Sequence, residues 1–150
     1  SSAASDVYKR QMYFKGALML NTMRHIINDD AKWWKLIYDY STTFKKQIID
    51  TETVVDFFNK QSGRNLTPVF NQYLRYAKIP VLQLKLEGKD LQYRWVTDEP
   101  DFTMPIEVAI NGKSIRLEAT NNWQSTTTEA ASLSDVQPAD KKFYIKVEKL

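Results

Sequence analysis

Ile79-Pro80-Val81-Leu82-Gln83-Leu84-Lys85-Leu86-Glu87-Gly88-Lys89-Asp90-Leu91-Gln92-Tyr93-Arg94-Trp95 is the stretch on which the fold turns. From Met12 to Lys78 the apolar residues recur every three or four positions; from Val81 they recur every second position. The first period is that of a helix with one buried face, the second that of a strand with one buried face. Val81, Leu82, Leu84 and Leu86 therefore predict a strand, and Leu91, Tyr93 and Trp95 its hairpin partner across a turn at Gly88. The chain reads as α+β, with Lys78 as the boundary.

Working upstream, Tyr13 to Ile27 carries apolar residues at helical spacing and predicts a helix with a wide buried face. Asn28-Asp29-Asp30 stops it and starts the next, Ala31 to Tyr40, with Trp33, Trp34, Leu36, Ile37 and Tyr40 on it. Asp50 or Thr51 caps a third helix, Glu52 suits its positive first turn, Val54, Val55, Phe57 and Phe58 supply its core, and Gly63 ends it. At Thr67-Pro68 a threonine cap before a first-turn proline predicts a fourth, with Phe70, Tyr73 and Leu74 as its buried stripe.

Working downstream, Ile106, Val108 and Ile110 lead into Asn111-Gly112, and Ile115 and Leu117 leave it, the signature of a type I′ hairpin. Trp123 to Thr128 and Phe143 to Val147 supply two further strands. About six short antiparallel strands separated by turn signals predict a small β-sandwich.

With 43% apolar and 13% aromatic residues, the 150-residue chain has ample material for a packed core. No stretch approaches the roughly 20 apolar residues of a membrane-spanning helix. The absence of cysteine removes disulfides, thiolate metal sites and cysteine nucleophiles, and leaves the compartment open. The net charge of +3 is spread over separate turns and polar faces, among them Lys45, Lys46, Lys60, Arg64, Arg75 and Lys78. That is a solvated surface, and no nucleic-acid partner is expected.

Chemistry-bearing residues are few. His25 is the one histidine, and a zinc site needs three or four clustered ligands, so a structural or surface role is expected. The adjacent side chains of Asp29 and Asp30 point apart and are explained by a helix start. Trp33 and Trp34 at helical spacing read as core before they read as a stacking platform for a sugar or base. Gly63, Gly88 and Gly112 read as cap and turn residues.

Tyr13-Phe14-Lys15-Gly16-Ala17 resembles the Tyr-x-Lys-Gly-Ala segment of M1-family zinc aminopeptidases. The helix through Met23-Arg24, Asp29-Asp30-Ala31-Lys32-Trp33-Trp34, the helix from Thr51 to Gly63, and Gly63-Arg64-Asn65-Leu66-Thr67-Pro68-Val69-Phe70 look like successive parts of the same family's catalytic domain. Ile79-Pro80-Val81-Leu82 looks like its passage into a β-sandwich. The match covers Met12 to Val81; the later strands agree in type and order but carry no motif.

The resemblance implies a C-terminal piece: residues 12–78 as the helical end of a thermolysin-like catalytic domain and residues 79–150 as an antiparallel β-sandwich. It implies a parent that hydrolyses N-terminal residues from peptides, with zinc held by an H-E-x-x-H helix and a later glutamate. The motif's glutamate would be the general base, and an exopeptidase segment would bind the substrate's α-amine. None of these lies in this chain, which is therefore expected to bind no zinc or other cofactor and to be inactive without a missing upstream catalytic domain. The resemblance also makes Tyr13 the hydrogen-bond donor to the oxyanion of the tetrahedral intermediate. A phenol with a pKa of about 10 stays protonated at neutral pH and suits that task. No role follows for Lys15, Gly16 and Ala17 beyond scaffold, where the two small residues suggest close approach by another helix.

Ser1 to Gln11 shows neither period, and Asp6-Val7-Tyr8-Lys9-Arg10-Gln11 resembles a translated transposon end used in preparing sequencing libraries. Residues 1–11 are accordingly expected to be an artefactual or disordered leader outside the fold. A competing reading of the whole chain is a non-enzymatic helical-plus-sandwich module that binds a protein or a carbohydrate.

Overall fold

The structure is a computed structural model that describes residues 2–150, with the side chains of Tyr8, Met12 and Tyr13 outside the description. Four helices come first: α1 (Ser2–Ile27), α2 (Asp30–Thr43), α3 (Thr51–Ser62) and α4 (Thr67–Arg75). Their ends follow local chemistry. The Asp29 carboxylate accepts from the Lys32 N–H at 3.0 Å, and that of Asp50 from the Thr53 N–H at 2.8 Å, so both satisfy otherwise unpaired first-turn donors. Gly63 closes α3 at φ 71°, a left-handed conformation that a glycine adopts without steric cost.

Three expectations for the helices are corrected. Thr67 does not cap α4, because the residue before the helix is Leu66. Its hydroxyl instead accepts from Asn59 Nδ2 at 2.9 Å, while Asn59 Oδ1 accepts from the Leu66 N–H at 2.6 Å, so the amide of α3 anchors the start of α4. Leu74 is 51% exposed, and Val69 and Gln72 join Phe70 and Tyr73 in the buried stripe. Helix α1 also extends upstream of Tyr13 to Ser2. Once a helix is anchored downstream, each added residue gains a bond, and no glycine or proline interrupts Ser2 to Gln11. Ser2 to Val7 and Lys9 to Gln11 are exposed and add nothing to the core.

Seven strands follow: β1 (Val81–Glu87), β2 (Asp90–Val96), β3 (Thr103–Ile110), β4 (Lys113–Thr120), β5 (Gln124–Thr127), β6 (Val136–Pro138) and β7 (Lys146–Lys149). They form a sheet of order β5-β2-β1-β7 and a second of order β4-β3-β6. The β3–β4 turn has Asn111 at φ 50° and Gly112 at φ 80°, the two positive values of a type I′ turn. Strand β6 is additional to the expected set, and β7 runs parallel to β1, with Val81 opposite Lys146, so the sheets are antiparallel in all pairings but one. Pro105 sits in β3 opposite Glu118, beyond the Val108–Ile110 stretch that β6 covers, where its missing N–H is tolerated.

Period-two burial decides the layering. Leu82, Leu84, Leu91 and Trp95 of one sheet and Met104, Ile106 and Val108 of the other are buried almost completely. The Trp95 indole N–H donates to the Met104 carbonyl across this core at 2.9 Å, which satisfies its one polar atom. The other face of β3 and β4 receives the helices: Arg64 of the α3–α4 turn pairs with Glu118 at 3.2 Å, and Pro105 is buried. Within the helical layer, Phe58 packs edge-on to both Trp33 and Phe70, with ring centroids 6.2 and 5.4 Å away. The fold is thus α+β, with helices over one sheet and that sheet over the other.

Candidate functional site: the α1 helix and the cleft beside α4

Met19, Met23 and Ile26 are buried and define the face of α1 that packs on the fold. By helix spacing, position 13 shares the opposite face with Ala17, Leu20 and Arg24. Ala17 and Leu20 are exposed. Tyr13 therefore has its backbone on the uncovered side of α1; its side chain lies outside the described residues.

The uncovered face continues onto α2. The Arg24 guanidinium lies 5.2 Å from the Trp34 ring centroid and makes a bidentate pair with Asp30 at 2.9 and 3.0 Å. Trp34 remains 56% exposed and Tyr38 68%, whereas Trp33 is buried. The expectation that both tryptophans belong to the core thus holds for one of them: the step of about 100° between neighbours places Trp33 against Phe58 and leaves Trp34 outside, beside Arg24.

Behind position 13, the Lys15 ammonium donates to the carbonyl of Tyr76, the residue that caps α4, at 2.9 Å. A positive charge at a helix C-terminus meets unpaired carbonyls and the negative end of the dipole. The bond crosses a cleft of about 450 Å³ lined by Lys15, Gly16, Met19, Tyr73, Leu74 and Arg75, among others. The close approach expected at Gly16 and Ala17 is not made: a Cβ built on Gly16 meets nothing within 4 Å, and Ala17 is exposed. The space beside them is the cleft.

Deeper in, α1, α4 and the chain before β7 are joined by a buried relay. The Tyr73 hydroxyl donates to the Tyr144 carbonyl at 2.6 Å, and the Tyr144 N–H donates to Thr22 Oγ1 at 2.8 Å. Burial pushes the Tyr73 hydroxyl above the ordinary phenol range, so it is a fixed donor and no base. His25 packs against Phe143 with ring centroids 6.1 Å apart, and partial burial lowers its pKa, with Lys142 and Arg24 acting in the same direction. Asp29 caps α2 and Asp30 pairs with Arg24, so neither carboxylate is poised for chemistry.

Among the described residues no three of His, Cys, Asp and Glu come together as a metal site. Also among the described residues, no helix is long and apolar enough to cross a membrane. Sequence reasoning left Lys15 without a role, because its acceptor is a backbone carbonyl 61 positions away.

No protein-family model matches the chain. No curated protein matches its sequence. Among solved structures it is similar to aminopeptidase A of Legionella pneumophila, which was crystallised with aspartic acid. The TM-score is 0.65 at 12% identity, over 89% of this chain and 17% of that one. At that identity the likeness is one of fold, and the chain spans about a sixth of the length of the aminopeptidase it matches.

Proposed function

We propose that this chain is the C-terminal part of an M1-type zinc aminopeptidase. Residues 12–78 form the helical end of its thermolysin-like catalytic domain and residues 79–150 its β-sandwich. Residues 1–11 are a leader without a part in the activity. The parent hydrolyses N-terminal residues from peptides, with zinc held by residues upstream of this chain, and Tyr13 donates a hydrogen bond to the developing oxyanion. The chain alone is inactive.

The observation that carries this reading is the overlap of nearly the whole chain, helices and sandwich together, with one part of an aminopeptidase. Two features agree with it. Position 13 falls on the one face of α1 that the described fold leaves uncovered, where a residue serving a neighbouring site belongs. Phe14, Trp34 and Tyr38 are large apolar side chains left exposed, at 67%, 56% and 68%, as side chains that meet a further domain are.

The test compares the 150-residue chain with the product of the reading frame extended upstream, by metal analysis and an aminoacyl-aminocoumarin reporter. The extended product is expected to hold one zinc and to cleave the reporter in a chelator-sensitive way, and the short chain to do neither. Equimolar zinc with turnover in the short chain would sink the proposal, as would an upstream frame without H-E-x-x-H and a later glutamate.

A further inference from the structure

Helix α1 is held to the fold unevenly along its length. From Met19 onward it is fastened by buried side chains, with Met19, Met23 and Ile26 in the core and Thr22 accepting the Tyr144 N–H. Before Met19 the described side chains are half-buried or exposed, and Gly16 beside them faces open space. Between Phe14 and Leu20, Lys15 alone among the described side chains hydrogen-bonds to another element, through Nζ to the Tyr76 carbonyl at 2.9 Å. Tyr76 follows α4 directly, and α4 is itself fixed by the buried side chains of Phe70, Gln72 and Tyr73. One charge-assisted bond thus joins the turn of α1 just before its buried anchor at Met19 to a rigid element.

Lys15 and position 13 lie on nearly opposite sides of the helix, since two residues advance about 200° around the axis. Pinning Lys15 against the end of α4 therefore fixes the rotation of this turn about the helix axis and, with it, the face of α1 on which position 13 falls. Apolar packing does not supply that constraint here, because the space next to Gly16 is a cleft.

We propose that Lys15 is a positioning residue: its bond to the Tyr76 carbonyl fixes the rotation and height of the α1 turn that carries Tyr13. This rests on the reading of Tyr13 as the oxyanion donor. Lys15 touches neither substrate nor metal; it acts through the helix backbone. A donor held rigidly where charge develops accelerates the reaction, and one displaced by about an ångström loses much of that effect.

The test has two arms. In the 150-residue chain, hydrogen exchange is followed by mass spectrometry for Lys15→Met and Lys15→Arg. Lys15→Met is expected to speed exchange of the amides of residues 13–18 and leave residues 21–27 unchanged; Lys15→Arg, which keeps a cationic donor, is expected to retain most of the protection. Unchanged exchange in Lys15→Met overturns the proposal, as does an equal loss along the whole helix, which would mark a general structural role.

In the complete aminopeptidase, Lys15→Met is expected to lower kcat about 10- to 100-fold, with KM and zinc content nearly unchanged and Lys15→Arg recovering most of the loss. Tyr13→Phe is measured alongside. If Tyr13→Phe cripples kcat and Lys15→Met leaves it within about twofold, a change too small for a misplaced donor, the positioning role of Lys15 is wrong and the oxyanion reading stands. If Tyr13→Phe itself leaves kcat intact, the oxyanion reading falls and the role of Lys15 falls with it.

Discussion

Arg116 reaches from strand β4 to the end of helix α1, where its Nη1 donates to the His25 carbonyl at 3.0 Å and its Nη2 to that of Ile26. The last carbonyls of a helix have no partner within it, and a guanidinium offers paired donors and a positive charge to the negative end of the dipole. A residue of the β-sandwich thereby caps a helix of the other half, 91 positions away. Partial burial lowers the Arg116 pKa from its usual value, yet a guanidinium remains charged at any physiological pH.

Arg116→Met is expected to destabilise the chain by about 2 kcal/mol, the net worth of charge-assisted hydrogen bonds at a half-buried site. That corresponds to a fall in Tm of roughly 4–8 °C for a domain of this size. Arg116→Lys, which cannot span both carbonyls in a fixed fork, should recover only part of the loss. Differential scanning calorimetry of the three proteins decides it; an unchanged Tm in the methionine variant would mean that water caps α1 equally well.

The His25 imidazole is held below the usual histidine range, first by burial and then by Lys142 and Arg24, with Asp30 and Glu107 acting the other way. Its folded-state pKa thus lies below the unfolded value of about 6.5. As pH falls through that value the unfolded chain takes up the proton first, so the stability associated with the neutral ring is present above about 6.5 and lost below it. Melting temperatures measured at intervals from pH 7.5 to 5 should fall more steeply for the native chain than for His25→Gln. Parallel slopes would show that the ring titrates alike in both states.

Gly16 and Gly112 should respond oppositely to alanine. Gly112 stands at φ 80°, where a Cβ meets its own backbone, and Gly112→Ala is expected to cost about 1 kcal/mol. Gly16 is helical and an added Cβ would meet nothing within 4 Å, so Gly16→Ala should stabilise the chain by about 0.5–1 kcal/mol through helix propensity. Urea denaturation of the two variants provides the comparison.

In the aminopeptidase proposed as the parent, with Tyr13 as its oxyanion donor, Tyr13→Phe removes one phenolic O–H and keeps the ring. Loss of a single oxyanion donor typically lowers kcat about 100- to 1000-fold, and because the charge appears after attack, zinc content, substrate Kd and Tm should change little. A Tm loss with near-normal kcat would make Tyr13 a packing residue, and an effect confined to KM a binding residue.

The sequence by itself determined what short-range physics controls. The change of period at Ile79-Pro80 separates helices from strands because burial of one face imposes its repeat on the residues nearby. Asp29 and Asp50 cap, Gly63 stops α3, and Asn111-Gly112 turns, because each acts within three residues of its own position. The Tyr13 motif was legible as a resemblance, and spacing alone carries no chemistry for it.

The tertiary structure decided whatever depends on a distant partner. Asn59 took the Thr67 hydroxyl that was expected to cap α4. The packing of α4 turned Leu74 out and Gln72 in. Strand β7 joined β1 in parallel because the returning chain found that edge open. Lys15 carried no role in sequence beyond scaffold and Arg116 belonged to no motif; both became ties between elements because carbonyls 61 and 91 positions away lie within hydrogen-bonding distance only once the layers are stacked. Backbone acceptors carry no residue-type signal, so such pairs are invisible until the fold brings them together.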